Sequence, residues 1–206
     1  MNSLLRHGYG PAAELLDVTQ NYHQAWCARN GWLLREDRGQ KFDPIYVHYE
    51  KWRVIFDGLL AAEDGALVVY LDADAIVIGE LNDVLLPAHD IGVTKWILSH
   101  YNGGALYWRA NAKTRAFAEK MAHCPDDTAF QHYAETIARF RSFVPDEPVF
   151  NKKLKESDLV SIELGKKWNA KSYMVDIRVL AFHGETDEKA KTELTRVVQE
   201  VNQWQH

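Results

Sequence analysis

The stretch that decides the fold is Val68-Val69-Tyr70-Leu71-Asp72-Ala73-Asp74-Ala75-Ile76-Val77. It begins within a continuous apolar run, 66–71, of the kind that forms strands buried on both faces of an α/β sheet. The run leads directly into two aspartates separated by one residue. Because side chains alternate faces along a strand, we expect Asp72 and Asp74 to point the same way. The sequence thus predicts two carboxylates at the carboxyl end of an interior strand, where open α/β sheets bind their ligands.

Two carboxylates so close together repel each other unless a positive charge lies beside them. A hard divalent cation such as Mn²⁺ or Mg²⁺ prefers oxygen ligands and would relieve that repulsion. The alternative is that one aspartate caps a following helix while the other is solvated. The apolar strand that precedes the pair favours the cation.

Segments with strand and helix character alternate along the rest of the chain. Strands are predicted over 2–6, 32–35, 66–71, 90–95, 105–108, 159–163 and 178–182. Helices are predicted over 12–30, 48–62, 112–123, 127–141 and 188–204, with a short helix within 145–155 and helical signal near 81–86. This alternation predicts an α/β protein with a mainly parallel central sheet flanked by helices. Without a linker or an internal repeat, 1–206 is expected to be a single domain.

Composition excludes some classes of function. The formal net charge is −5 and no dense basic stripe occurs, so nucleic-acid binding is not indicated. No apolar run approaches the roughly 20 residues of a membrane span, and the first ten residues lack the apolar core of a signal peptide. Cys27 and Cys124 lie far apart, as in a protein with reduced thiols. We therefore expect a cytoplasmic protein.

Several blocks of the sequence, in order and in approximate spacing, resemble the GT-A nucleotide-sugar transferases, especially the retaining galactosyltransferase and glycogenin-like groups. The blocks span most of the chain and are His7-Gly8-Tyr9-Gly10-Pro11, 21–32, Tyr49-Glu50-Lys51-Trp52, 71–75, Asn102-Gly103-Gly104, 146–151 and His183-Gly184. One departure is the first strand, 2–6, which is shorter and more polar than its counterpart in the family. The resemblance implies the GT-A fold, a Rossmann-like nucleotide-diphospho-sugar transferase architecture.

The resemblance also implies which residues bind the donor and the metal. Asp72, Asp74 and His183 would ligate Mn²⁺ or Mg²⁺. The residues that would contact the nucleotide or the donor sugar are His7, Gly8, Tyr9, Lys51, Asp72, Asn102, Gly103, Gly184 and Lys189. Structural alternatives stay open: Tyr9 could anchor its turn, the glycines at 103–104 could form a plain turn, and Lys51 and Lys189 could be solvated helix residues.

Two acidic residues are implied to act on the transferred sugar. Asp146 would accept hydrogen bonds from sugar hydroxyls, and Glu147 would lie near the anomeric carbon, as nucleophile or as electrostatic partner of an oxocarbenium-like transition state. The spacing from Asn151 suggests one face of a short helix. A second, compatible reading is that the two acids begin that helix and complement its dipole.

The activity implied is transfer of a sugar from a nucleoside-diphosphate sugar, by resemblance a UDP-sugar, to the hydroxyl of an unknown acceptor with retention of configuration. A rival comes from another reaction class, because 71–76 also resembles the nucleophile motif of haloacid-dehalogenase phosphatases, with Asp126-Asp127 as later metal acids. That family normally carries the motif on its first strand, whereas helices and strands precede it here. A third reading is a non-catalytic nucleotide-sugar or carbohydrate-binding protein on a degenerate transferase fold.

Overall fold

The apolar run before Asp72 forms an interior strand of a six-stranded sheet. The computed structural model describes residues 1–97, 100–138, 145–170, 177–182 and 187–204. Its strands are Ser3–His7 (β1), Leu33–Asp37 (β2), Leu67–Asp72 (β3), Ala75–Val77 (β4), Ile91–Ile97 (β5), His100–Arg109 (β6), Ser161–Leu164 (β7) and Val179–Ala181 (β8).

The sheet has the order β2-β1-β3-β6-β5-β7, and β4 pairs with β8 in a separate two-stranded ribbon. β1 runs parallel to both β2 and β3, and β5 runs parallel to β7. β6 lies antiparallel between β3 and β5, so it is the one strand of this sheet that runs against the others. The prediction of a mainly parallel sheet is confirmed. The reversed β6 begins at the edge where β3 ends, and this places the 102–104 segment beside Asp72 in the sheet.

Helices cover both faces of the sheet. They are Pro11–Asn30 (α1), Glu50–Leu60 (α2), Ala112–Ala122 (α3), Thr128–Ala138 (α4), Glu147–Lys155 (α5) and Asp187–Trp204 (α6). Alternate residues of β3 belong to opposite cores: Val69 and Leu71 pack in the core that includes α1 and α6, and Val68 and Tyr70 in the core that includes α2, α3 and α5. No helix in the described part of the chain is long and apolar enough to span a membrane.

Three local features of the structure differ from the sequence-based expectations. The segment 81–86 forms turns rather than a helix, although Leu81, Val84 and Leu85 are buried, because irregular chain can bury apolar side chains at helix-like spacing. The short strand β4 was not predicted. The helix expected over 48–62 begins as a separate 3₁₀ helix, Pro44–Tyr49, and becomes α-helical at Glu50.

The first strand is buried along its whole length in spite of its polar sequence. β1 lies between β2 and β3, so both of its edges are paired. The helix that follows ends as predicted: Gly31 has a left-handed conformation, with φ of 69°, and its backbone N–H bonds to the carbonyl of Cys27. β1 and α1 together bring the 7–10 turn to the same edge of the sheet as Asp72.

Candidate active site

The Asp-Ala-Asp sequence lies where β3 leaves the sheet. Asp72 is the last residue of β3, and Asp74 lies in the turn before β4. Since the two aspartates do not share one strand, the alternation of strand side chains does not explain their placement. Both nevertheless line one open pocket at this edge of the sheet.

The pocket brings together six of the residues predicted for donor or metal binding. These are His7, Gly8, Tyr9, Lys51, Asp72 and Asp74. They come from three elements that meet at one edge of the sheet: the turn after β1, helix α2 and the end of β3. The rest of the lining is supplied by Ala12, Leu15, Val47, His48, Tyr70 and Ala73.

The turn after β1 is held close to the sheet and to helix α1. The Gly8 N–H donates to the carbonyl of Asp37 at 3.2 Å, and a Cβ at position 8 would lie 2.8 Å from the carbonyl oxygen of Ala12. Only glycine fits this approach without displacing the helix. The His7 ring donates from Nε2 to the carbonyl of Gly39 at 3.0 Å and stacks on Tyr9, with ring centroids 6.0 Å apart. Tyr9 therefore has a fixed neighbour while lining the pocket.

Lys51 is a buried cation at the floor of the site, only 7% exposed, so it is not a solvated helix residue. Its Nζ lies 3.5 Å from Asp146 Oδ2 and 3.7 Å from Asp72 Oδ1, and it donates to the carbonyl of Gly103 at 3.3 Å. Burial lowers the pKa of Lys51, but the carboxylates of Asp146, Asp72 and Glu147 outweigh burial and leave the pKa raised. The ammonium is therefore charged at neutral pH and joins the two aspartates.

Asp146 occupies the residue before α5, yet its side chain makes no capping hydrogen bond to that helix. It is 2% exposed, and its Oδ2 accepts a hydrogen bond from Nε1 of Trp52 at 2.9 Å. The same oxygen faces Lys51. The Asp146 carboxylate therefore faces the buried ammonium and the indole rather than the first backbone N–H groups of α5.

Glu147, the first residue of α5, contacts the beginning of β6. Its Oε1 accepts a hydrogen bond from the backbone N–H of Gly103 at 3.1 Å. Asn151, one turn later, fixes the helix to the same strand: its Oδ1 accepts from the Tyr101 N–H at 2.9 Å, and its Nδ2 donates to the Tyr101 carbonyl at 3.3 Å. The common helix face expected for these residues is thus the face that packs on β6.

The segment 102–104 belongs to β6 and is not a plain turn. Asn102 is 5% exposed, and its Oδ1 accepts from the backbone N–H of Gly104 at 2.5 Å. A Cβ at Gly103 would lie 3.1 Å from Lys51 Nζ and 3.5 Å from Asp146 Oδ2. The absence of a side chain at position 103 is what lets this strand approach the charged cluster.

The carboxyl of Asp74 is in an unfavourable setting for a negative charge. Burial first, and then repulsion by Asp72, raise the pKa of Asp74 to about 7, although Lys51 and Arg6 partly oppose this. A hard divalent cation would remove the repulsion, so the two aspartates fit one chemically. No group of three potential ligands occurs among the described residues, and the predicted third ligand, His183, lies outside them, as does Gly184.

Lys189 is exposed in the first turn of α6 and is not one of the described residues that line the pocket. The predicted role of this lysine at a phosphate therefore gains no support from its position.

Several residues at the site were not predicted from the sequence. The Tyr70 hydroxyl donates to Asp72 Oδ1 at 2.9 Å, which the two-residue spacing along β3 could have indicated. His48 lines the pocket three residues before Lys51, and burial, followed by the charge of Lys51, lowers its pKa and favours the neutral ring. The sequence around Trp52 and Arg6 does not indicate a role at the site. Trp52 fits the apolar face of a helix, and Arg6 looks like an ordinary polar residue of a strand.

Comparisons with known proteins support the architecture. No protein-family model matches the sequence, and no curated protein matches it. A solved structure of a glycosyltransferase involved in the glycosylation of the major capsid of PBCV-1 matches with a TM-score of 0.68 and 11% identity, over 94% of this chain and 98% of that chain. The galactosyltransferase LgtC, solved with donor and acceptor sugar analogs, matches with a TM-score of 0.50 and 12% identity, over 96% of this chain and 95% of that chain. The predicted architecture is thereby confirmed: this chain has the GT-A glycosyltransferase fold.

Proposed function

We propose that this chain is a glycosyltransferase that moves a sugar from a nucleoside-diphosphate sugar, most simply a UDP-sugar, to an acceptor hydroxyl. The observation that carries the proposal is the convergence of Asp72, Asp74, Lys51, Asp146 and Glu147 at one edge of a GT-A sheet, beside an open pocket. The solved neighbours are a glycosyltransferase and a galactosyltransferase, and the latter was solved with donor and acceptor sugar analogs.

The donor would lie along the pocket in a defined direction. The base and ribose belong at the turn after β1, where Tyr9 offers a ring and Gly8 a close backbone. The diphosphate would lie near Asp72 and Asp74, which would bind it through a divalent cation. The sugar would then extend toward Asp146 and the start of β6.

Mn²⁺ or Mg²⁺ would be held by Asp72 and Asp74, with His183 as the third ligand implied by the family resemblance. When bound, the cation would neutralise charge that develops on the departing diphosphate. The other charged groups of the site are side chains of the protein itself. Because their positions are already fixed, they would stabilise the charge of a transition state without reorganising.

Asp146 and Glu147 have different proposed roles because their surroundings differ. Asp146 Oδ2 is held by Trp52 and faces Lys51, so this carboxyl group has a fixed orientation, and we assign it to accept hydrogen bonds from sugar hydroxyls. Glu147 is anchored through one oxygen to the Gly103 N–H at the surface of the same cluster. Its carboxylate is the group we place at the anomeric carbon, as nucleophile or as electrostatic partner of a positively charged transition state, with retention of configuration.

The phosphatase alternative gains no support from the position of its required acids. Asp127 immediately precedes α4, and its Oδ1 accepts from the Phe130 N–H in the first turn of that helix at 3.1 Å. It lines a different pocket, with Tyr133 and Lys152. The Asp72–Asp74 pocket has Lys51 as its cation and does not include that pair among its described lining residues.

The proposal is tested by a thermal-shift and calorimetric screen of UDP, UDP-glucose and UDP-galactose, with and without Mn²⁺. We expect Mn²⁺-dependent binding that raises the melting temperature, because a ligand of the native state stabilises it by mass action. Asp74→Asn should fold and lose this dependence. Binding to wild type should be accompanied by slow sugar release into water, whereas binding with neither hydrolysis nor transfer would indicate a non-catalytic protein. Hydrolysis of p-nitrophenyl phosphate without UDP-sugar binding would reverse the assignment in favour of a phosphatase.

A further inference from the structure

Arg6 is a fully buried arginine directly beneath the Asp-Ala-Asp turn. It lies on β1, opposite Leu71 in the register with β3, and its exposed fraction is 0%. A buried guanidinium costs far more free energy than an apolar side chain of similar size, and natural cores rarely hold one without partners. Burial lowers its pKa to about 10, so the group stays charged at neutral pH. Packing alone does not account for an arginine at this position.

One nitrogen of the guanidinium holds the turn on both sides of Asp74. Nη2 donates to the carbonyl of Ala73 at 2.9 Å and to the carbonyl of Ala75 at 3.3 Å. These two carbonyls belong to the residues immediately before and after Asp74. The backbone position of that aspartate is therefore fixed from below by a single side chain.

The second terminal nitrogen, Nη1, anchors the guanidinium to the scaffold. Nη1 donates to Thr19 Oγ1 on α1 at 2.5 Å and lies 3.4 Å from Glu36 Oε1 on β2. Thr19 is fully buried, and the side chain of Glu36 is 9% exposed. The turn that carries Asp74 is thus connected through one planar group to a helix and to a neighbouring strand.

A lysine could not replace this arrangement. Arginine presents several N–H donors in a rigid plane, whereas a lysine ammonium is a compact charge on a flexible stem. The hydrogen bonds of Arg6 to Ala73 and to Thr19 extend from the guanidinium in different directions. They therefore need two N–H donors held in one rigid plane. An Arg6→Lys variant therefore keeps the positive charge and loses the geometry.

We propose that Arg6 is a positioning residue for cation binding, which fixes the Asp74 turn so that its carboxylate and that of Asp72 meet one divalent ion. This inference rests on the proposed function, because it assigns a role within that same site. It also gives a reason for the polar sequence of β1, the feature in which this sequence departs from the family it resembles.

The test compares Arg6→Lys with wild type and with Arg35→Lys, a control at an exposed position on β2. Free Mn²⁺ is measured by electron paramagnetic resonance as protein is titrated with Mn²⁺ at a fixed concentration of UDP, and unfolding is followed in urea. We expect Arg6→Lys to weaken Mn²⁺ binding by about 10- to 100-fold, the usual effect of losing a residue that orients a metal ligand. Arg35→Lys should bind Mn²⁺ as wild type does.

The outcomes separate this inference from the proposed function. If wild type shows no UDP-dependent Mn²⁺ binding, both fail. If wild type binds and folded Arg6→Lys binds equally well, with only its unfolding transition shifted, Arg6 is merely structural and this inference alone is overturned. If Arg6→Lys does not fold, Thr19→Val decides, because it removes an anchor of Nη1 without removing a charge. Weaker Mn²⁺ binding by that variant supports the inference, and unchanged binding overturns it.

Discussion

Nε1 of Trp52 donates a hydrogen bond to Oδ2 of Asp146 at 2.9 Å, across 94 residues of sequence, and both side chains are buried. The indole belongs to α2 and the carboxylate stands at the start of α5. Trp52 also packs against Phe117 and Phe150, with ring centroids 6.4 and 5.0 Å apart. A rigid aromatic core therefore sets the position of a carboxylate that we assign to sugar binding.

The first prediction concerns this bond. Trp52→Phe keeps most of the aromatic packing and removes the N–H donor, so Asp146 loses one of the groups that orient it. We expect turnover of the UDP-sugar to fall by about 10- to 100-fold, as for other small misplacements of reacting groups. The free energy of unfolding should fall by about 1–3 kcal/mol, because a buried acceptor loses one of its two partners. Steady-state kinetics and urea unfolding measure the two effects.

Trp108→Phe is the matched control for that variant. Trp108 is also fully buried, and its ring lies 6.2 Å from that of Trp52, but its Nε1 has no hydrogen-bond partner among the described residues. The control should lose some stability through packing and keep its turnover. Equal losses of turnover in the two variants would show that packing, and not the bond to Asp146, matters.

The second prediction concerns the buried ammonium between two carboxylates. Lys51→Met should lower the free energy of unfolding by about 3–5 kcal/mol, since removing one partner of a buried ion pair leaves uncompensated charge. A double variant, Lys51→Met with Asp146→Asn, should recover part of that loss. Lys95→Met, which breaks the exposed pair with Glu163, should change stability little. Urea unfolding of wild type, these three variants and the Asp146→Asn single variant measures these differences, and full additivity in the double variant would contradict the proposed coupling.

The third prediction concerns pH and His23, a fully buried histidine of α1. Its Nε2 accepts a hydrogen bond from the Val77 N–H at 3.2 Å, which requires that Nε2 carries no proton and that the ring is neutral. Burial first, and then the charge of Arg6, lower the pKa of His23 well below its ordinary value. Below a pH of about 6.5 the His23 ring therefore binds a proton in the unfolded chain but stays neutral in the folded chain. The free energy of unfolding must then fall as the pH decreases.

The size of this effect is about 1.4 kcal/mol per pH unit between the unfolded and folded pKa values. His23→Gln keeps an acceptor for Val77 and does not titrate, so wild type should lose stability relative to it as the pH falls from 7 to 5. Asp74, whose pKa is raised, makes the free energy of unfolding increase as the pH falls. It is present in both proteins, so it does not change the difference between their stabilities. Exposed His132→Gln is the control and should follow wild type. Parallel pH profiles for wild type and His23→Gln would refute the prediction.

Much of the fold follows from patterns within short segments. The apolar run before Asp72 could be assigned to an interior strand because a strand buried on both faces needs apolar residues throughout. Gly31 could be assigned as a helix end because glycine adopts the left-handed conformation at low cost. The same reasoning failed over 81–86, where buried side chains at helical spacing belong to turns, since burial and helical structure are separate properties.

What the sequence determined by itself was most of the order of strands and helices, the strand that ends in Asp72 and the acidic pair at its end. The tertiary structure decided which distant residues meet those acids. β6 runs antiparallel beside β3, and this direction brings Gly103 to the end of β3. Lys51 and Asp146, 95 positions apart by their numbers, face each other at 3.5 Å. Periodicity reports which side of an element is buried, whereas the partners across a site depend on strand order and direction, which local spacing does not encode.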